Sequence, residues 1–206
     1  MVFEEFVNDD KNRRWFAMYL VTERVSLEHP KHQEKYLELL DLMDDEELMR
    51  SVIHVTYNAV NALRKVKNWY NLRKSQKHRS ELENLGVWLG KLTLARGQPL
   101  DEGLFNLEDV LVHGFENNLL LAVMPFACKI MEAAKKSEHF KLPHPWTSKI
   151  IGLLAEISGP SYFIRGPSYS TVPELLNPNL HGETDTVPQV SQAPPPQQTA
   201  PMPCTV

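Results

Sequence analysis

The chain has 206 residues, 42% of them hydrophobic, enough for one domain with a real core and some material left over. A net charge of -4 and a sequence pI near 6.1 exclude a protein that holds nucleic acid or an anionic membrane by its overall field, so any basic patch must be local. The two cysteines, Cys128 within an apolar helical pattern and Cys204 third from the end, exclude a disulfide framework and point to a reducing, intracellular compartment.

Met1 to Asp10 carries acids where a signal peptide would need bases followed by an apolar run. The longest apolar run, Leu119 to Ala127 with Pro125 inside it, falls far short of the roughly 20 residues of a spanning helix, and the chain is expected to be soluble. Helical spacing begins with Trp15, Phe16, Tyr19 and Leu20, and recurs at Tyr36, Leu39, Leu40 and Met43. Asp44, Asp45, Glu46 and Glu47 favour a helix start, because carboxylates suit the positive end of the macrodipole; Leu48, Val52, Val55 and Ala59 continue that helix to about Arg64.

Ser80 and Glu83 have the capping-box spacing and predict a helix start, with Leu82, Leu85, Trp88, Leu92 and Ala95 as its stripe. Asn106 is the expected cap of a helix carrying Leu107, Val110 and Leu111. Val123, Ala127, Ile130 and Ala134 mark the next, with Pro125 expected to kink its first turns. Pro145 fits the first turn of a last helix, striped by Trp146, Ile150, Leu153, Leu154 and Ile157.

No stretch alternates with period two between hairpin turns, so the expectation is an all-α chain of roughly seven helices and no sheet. Three regions are predicted: a flexible N-terminal segment over 1–12, a helical domain over 13–158, and a Pro-rich disordered tail over 159–206. Ten of the 15 prolines lie between Pro160 and Pro203, and the run Gln189 to Gln198 has too little apolar surface to offset its ordering entropy.

Chemistry-bearing motifs are missing. No HExxH, CxxC or CxxH spacing occurs, and His29 and His32 form an isolated HxxH on a turn. Gly86 and Gly90 sit inside a helical stripe, where they favour close helix packing over phosphate cradling. Cys128 has no nearby histidine to activate it and reads as a buried structural thiol. The acids fall on turns and outer faces, and no pair is set apart as acid and base. The expectation is a protein that is not an enzyme and uses no cofactor and no metal.

One segment stands out. Arg64, Lys65, Lys67, Arg73, Lys74, Lys77 and Arg79 are interleaved with Trp69 and Tyr70, with no acid among them. Cations for phosphates and rings for bases are what single-stranded RNA binding uses. The same composition also fits a basic, mobile loop with one aromatic packed back on the domain, or a contact for an acidic protein.

The runs WFAMYLVTERVSLE (15–28), LENLGVWLGKLTLARGQPL (82–100), LLLAVMPFACKIME (119–132) and HPWTSKIIGLLAEI (144–157) together resemble the MIF4G-type domain in the middle of the large scaffold (Not-one) subunit of the CCR-NOT deadenylase complex. The blocks keep the family's order and approximate spacing over about 13–157. The resemblance implies HEAT-like antiparallel helix pairs stacked as a short solenoid. It implies a non-catalytic scaffold that docks a Caf-type deadenylase nuclease, a DEAD-box RNA helicase on its concave face, and other CCR-NOT subunits. The roles implied are messenger RNA deadenylation, decay and translational repression, with RNA contacted mainly indirectly and the protein in cytoplasmic decay foci and the nucleus. Both ends look shortened against the family pattern, by a helix before the Trp15 block and a helix pair after the last block. The alternative is an RNA-binding or translation-factor module of the same fold that uses the basic segment over 64–79.

Within the recognised blocks Trp15, Trp88 and Trp146 lie on apolar stripes and are expected to pack in the core. Arg24, Tyr57, Asn58, Asn84, Lys91, Thr93 and Lys129 are polar or amphipathic residues a core would not select, and are the partner-binding candidates. His144 and Pro145 precede the last helix, either as a positioned contact or as a proline-fixed helix entry.

Overall fold

A computed structural model describes residues 9–63, 65 and 68–162, and every regular element in them is helical. The helices are α1 (Asp10–Tyr19), α2 (Gln33–Met43), α3 (Glu46–Leu63), α4 (Trp69–Lys74), α5 (Gln76–Leu92), α6 (Leu107–Glu116), α7 (Leu120–Lys136) and α8 (Pro145–Tyr162). The expected all-α architecture is therefore present, with α4 as an element the sequence pattern did not reveal. The Pro/Gln-rich tail from 163 onward, residues 1–8, Arg64 and Lys67 lie outside the described residues. No described helix is long and apolar enough to cross a membrane.

Local chemistry sets most helix starts. The Asp9 carboxylate accepts from the Lys11 N–H at 3.0 Å, so α1 begins at Asp10, inside the segment expected to be flexible. The Asp45 carboxylate accepts from the Glu47 and Leu48 N–H groups at 2.9 and 3.0 Å and caps α3. Asn106 caps α6 as expected, accepting from Glu108 and Asp109. Pro145 opens α8, and α7 runs from Leu120 to Lys136 through Pro125.

Ser80 does not cap α5: the helix starts a turn earlier at Gln76, where Ser75 accepts from the His78 N–H at 3.4 Å, and Ser80 lies inside it. The segment 64–79 is likewise not one loop, because α4 forms within it. Leu72 is 1% exposed and anchors this short helix, and Arg79 donates to the Leu72 and Arg73 carbonyls at 3.2 and 3.1 Å. A cation on the last carbonyls of a helix satisfies acceptors that have no partner within it and complements the negative end of its dipole.

The tightest packing is between α5 and α7. Leu82, Leu85, Trp88, Leu89 and Leu92 of α5 and Phe126, Ala127, Ile130 and Met131 of α7 are all essentially buried. Gly86 and Gly90 permit this approach: a Cβ at Gly86 would stand 2.7 Å from the Phe126 carbonyl oxygen, and one at Gly90 would stand 2.8 Å from the Ala133 Cβ. The close-packing reading of these glycines holds. Alternate helices stack in turn, α1 on α3, α3 on α5 and α5 on α7, while α6 packs on both α7 and α8. Stacking of alternate helices is the arrangement of helical-pair repeats, in which each pair contacts its neighbours.

Candidate functional site

The described residues contain no group of three or more His, Cys, Asp or Glu placed to hold a metal. His29 is an N-cap whose Nδ1 accepts from the Lys31 N–H, and His32 Nδ1 lies 3.3 Å from Glu28 Oε2. Burial pushes the Cys128 thiol up to about 12, so it carries almost no thiolate near neutral pH, and thiolate is the nucleophilic form.

One surface is built by α1. Ala17, Leu20, Val21 and Val25 turn inward and are 2% exposed or less. The helix widens into a π-helical turn over Leu20–Val25, where Thr22 Oγ1 donates to the Met18 carbonyl and Ser26 Oγ to the Thr22 carbonyl, both at 2.8 Å. On the opposite face stand Trp15, Met18 and Tyr19, at 57%, 56% and 42% exposure. The Trp15 and Tyr19 rings stack with centroids 5.6 Å apart and planes 9° from parallel. Trp15 is thus not the core residue its stripe implied, whereas Trp88 is fully buried and Trp146 is partly buried with its ring 6.1 Å from Phe140. The pattern misled because apolar residues at helical spacing serve a core and an interface equally well.

Covering the exposed half of each stacked ring would remove roughly 100 Å² from water, about 2–3 kcal/mol per ring by area. An aromatic pair with a methionine is the composition enriched where proteins meet.

Beside this face lies a polar network. The Tyr36 O–H donates to Glu28 Oε2 at 2.6 Å, Arg24 Nη2 pairs with Glu28 Oε1 at 2.8 Å, and Arg24 Nε donates to Tyr36 Oη at 3.2 Å. The Tyr36 hydroxyl first, then His32 and Arg24, hold the Glu28 carboxyl below its ordinary value against the opposing effect of burial.

The seven partner-binding candidates separate. Arg24 and Asn58 are exposed, and Lys129 is part-exposed with Nζ 2.9 Å from Glu132. Lys91 is tied to Glu34 at 2.6 Å. The other three are structural. Tyr57 is 2% exposed, its ring lies 6.0 Å from Phe105, and its oxygen accepts from the Asp101 N–H at 2.9 Å. Thr93 is 3% exposed and donates to the Leu89 carbonyl at 2.6 Å. The Asn84 amide donates to the Ser26 and Glu28 carbonyls at 2.9 and 3.0 Å, while Gln33 Nε2 donates to the Asn84 carbonyl at 2.9 Å. Burial withdraws Tyr57 and Thr93 from the surface, and the Asn84 amide is consumed in joining the segment before α2 to α5. His144 lies edge-on to Phe140 at 5.0 Å, part of a helix entry.

Of the basic set, Lys65, Tyr70, Arg73, Lys74 and Lys77 are exposed, and Arg79 is half-buried against α4. Arg64 and Lys67 lie outside the described residues, and for Trp69 only the backbone is described.

Residues 3–162 match the family described as the CCR4-NOT transcription complex subunit 1 CAF1-binding domain. The chain is 33% identical over 173 residues to General negative regulator of transcription subunit 1 of Schizosaccharomyces pombe, covering 84% of this chain and 8% of that protein. It is 34% identical over 144 residues to the protein of the same name in Saccharomyces cerevisiae, covering 70% of this chain and 6% of that one. Against CCR4-NOT transcription complex subunit let-711 of Caenorhabditis elegans it is 29% identical over 157 residues, 74% of this chain and 6% of that protein. The chain therefore spans less than a tenth of the length of these relatives.

Proposed function

Because the chain belongs to the CAF1-binding domain family of CCR4-NOT transcription complex subunit 1, we propose that it is a non-catalytic docking module that holds a CAF1-type deadenylase nuclease within a CCR4-NOT assembly. The single observation that carries this reading is the family match, which spans every described helix. The stacked Trp15 and Tyr19 pair with Met18 supports it by offering an exposed, aromatic, preformed surface. Such a module contributes effective concentration: a nuclease tethered to a messenger RNA-bound complex meets its substrate without a diffusional search. In that role it acts in deadenylation, decay and translational repression, in the cytoplasm and its decay foci.

A DEAD-box RNA helicase is the second client of this reading, and the partner-binding candidates left at the surface, for either client, are the exposed Arg24 and Asn58 with the part-exposed Lys91 and Lys129. Calorimetric titration of the chain with the cognate CAF1-type nuclease, and separately with the cognate helicase, tests both. Saturable binding of the nuclease supports the docking role. A folded chain that binds neither protein would leave the family relationship without a docking function.

A further inference from the structure

Residues 64–79 carry seven of the chain's 22 Lys and Arg and none of its 26 Asp and Glu, so the remaining 15 bases face 26 acids. An acidic chain that gathers +7 into sixteen residues has segregated its charge, and the structure shows how the described part of that charge is mounted. Leu72 fixes one side of α4 in the core. Tyr70, Arg73 and Lys74 share the other side by their i, i+3, i+4 spacing, and Tyr70 is 71% exposed. Lys77 follows in the first turn of α5 with a side chain 75% exposed, at a loose 3.9 Å from Glu81.

Side-chain to backbone hydrogen bonds brace the mounting. Arg73 Nη2 donates to the Asn117 carbonyl at the end of α6 at 2.7 Å, and Arg79 joins α5 to α4 through the Leu72 and Arg73 carbonyls while also donating to Gln76 Oε1 within α5. A phenol ring is thus held in water one turn before two cations, on a backbone braced by these bonds.

We propose that Tyr70, Arg73, Lys74 and Lys77 form a contact surface for single-stranded RNA, with phosphates against the three cations and a base stacked on the Tyr70 ring. An acidic peptide would use the cations alone. The exposed ring, flanked one turn on by Arg73 and Lys74, is what favours a nucleic acid, since stacking on aromatics between cations is how single strands are held without sequence readout. Direct RNA contact is a separate activity from nuclease docking and stands or falls independently of it.

The test is fluorescence anisotropy of the whole chain with a fluorescein-labelled 15-nucleotide oligouridylate between 50 and 200 mM salt, with far-UV circular dichroism confirming that each variant is folded. Three phosphate contacts predict a slope of log K against log salt of about -2 for a single strand. Lys74→Gln/Lys77→Gln should bring that slope to about -0.7. Tyr70→Ala should weaken binding by about 5- to 150-fold with the slope unchanged. Lys31→Gln/Lys35→Gln, an equal charge loss at exposed positions elsewhere, should leave both unchanged. No binding at 50 mM salt, or equal weakening in the Lys31/Lys35 control, overturns the proposal. So does displacement of the RNA by oligoglutamate at matched charge, which would assign the surface to an acidic protein.

Discussion

Gly86 of α5 lies directly against the backbone of α7 at Phe126, so closely that a methyl group on Gly86 would stand 2.7 Å from the Phe126 carbonyl oxygen. Backbone cannot rotate aside as a flexible side chain can, so the helices would have to separate. Gly86→Ala should lower stability by about 1–3 kcal/mol, the usual cost of overpacking, and Tm by about 2–4 °C per kcal/mol in a domain of this size. At Gly152 in α8 an added Cβ would meet nothing within 4 Å. Gly152→Ala should therefore hold or raise Tm, since alanine is the better helix former by about 1 kcal/mol. Thermal melts of the two variants side by side decide the matter; equal effects would mean that the α5 to α7 contact is not what limits stability.

The stacked aromatic pair on α1 should behave oppositely in stability and in binding. Trp15→Ala/Tyr19→Ala leaves the inward residues Ala17, Leu20 and Val21 in place, so the expected loss of stability is under about 1 kcal/mol, as for surface changes with a modest packing component. Affinity for the nuclease should fall at least 30-fold if the pair is an interface anchor, consistent with the about 2 kcal/mol or more that such anchors carry. Calorimetry with a matched melt separates the two effects.

Asn84→Ala removes two amide donors from the Ser26 and Glu28 carbonyls and should cost about 1–3 kcal/mol by leaving acceptors without partners. Asn58→Ala, at an exposed position, should change stability by less than about 0.5 kcal/mol. Urea titrations of both variants check this. A neutral Asn84→Ala would show that water replaces the amide.

Acid should loosen the N-terminal half first. The Glu28 carboxyl is held low chiefly by the Tyr36 hydroxyl; for Asp45 burial opposes ionisation, but the Leu48 N–H and the Arg13 guanidinium outweigh it. Both folded-state values lie below the unfolded ones, so their stabilisation is present above about pH 4 and is lost as pH falls through the folded values. Arg13→Gln, which removes the partner 2.9 Å from Asp45, should flatten the acid limb of a stability-against-pH curve below about pH 4. An unchanged limb would count against the pair.

Cys128 shifts in the other direction. With the thiol pushed up to about 12 in the fold and near 8.5 when unfolded, its contribution is fully present below about pH 8.5 and declines as pH rises beyond it. In a Cys204→Ser variant the remaining thiol should react with Ellman's reagent at pH 8 only on addition of denaturant. Rapid reaction of the native protein would contradict its burial.

The stripes of α3, α5, α6, α7 and α8 were legible in the sequence because each buries one continuous apolar face, and the Asn106 cap and the Gly86 and Gly90 contacts follow from local rules. Trp15 was not legible: the core and a partner surface both select apolar residues at helical spacing, and here Ala17, Leu20 and Val21 face inward while Trp15, Met18 and Tyr19 face out. Tyr57 and Asn84 looked like contacts because they are polar within apolar blocks. Their partners, Asp101 and the carbonyls of Ser26 and Glu28, lie 44 to 58 residues away in the chain and leave no local trace. Ser80 lost to Ser75 as a cap because Arg79 binds the end of α4, which fixes the chain reversal one turn earlier than the Ser80 and Glu83 spacing implied.

The bond from Asn84 to the Ser26 carbonyl also sets a schedule. Its two ends are separated by 58 residues, so during synthesis at about 5–20 residues per second the N-terminal helices wait roughly 3–12 s for α5 to be made before that join can close. Through that interval Val21 and Val25, in the segment that packs on α5, lack part of their cover, and a ribosome pause between residues 26 and 84 would lengthen the period in which a nascent chain is open to chaperones.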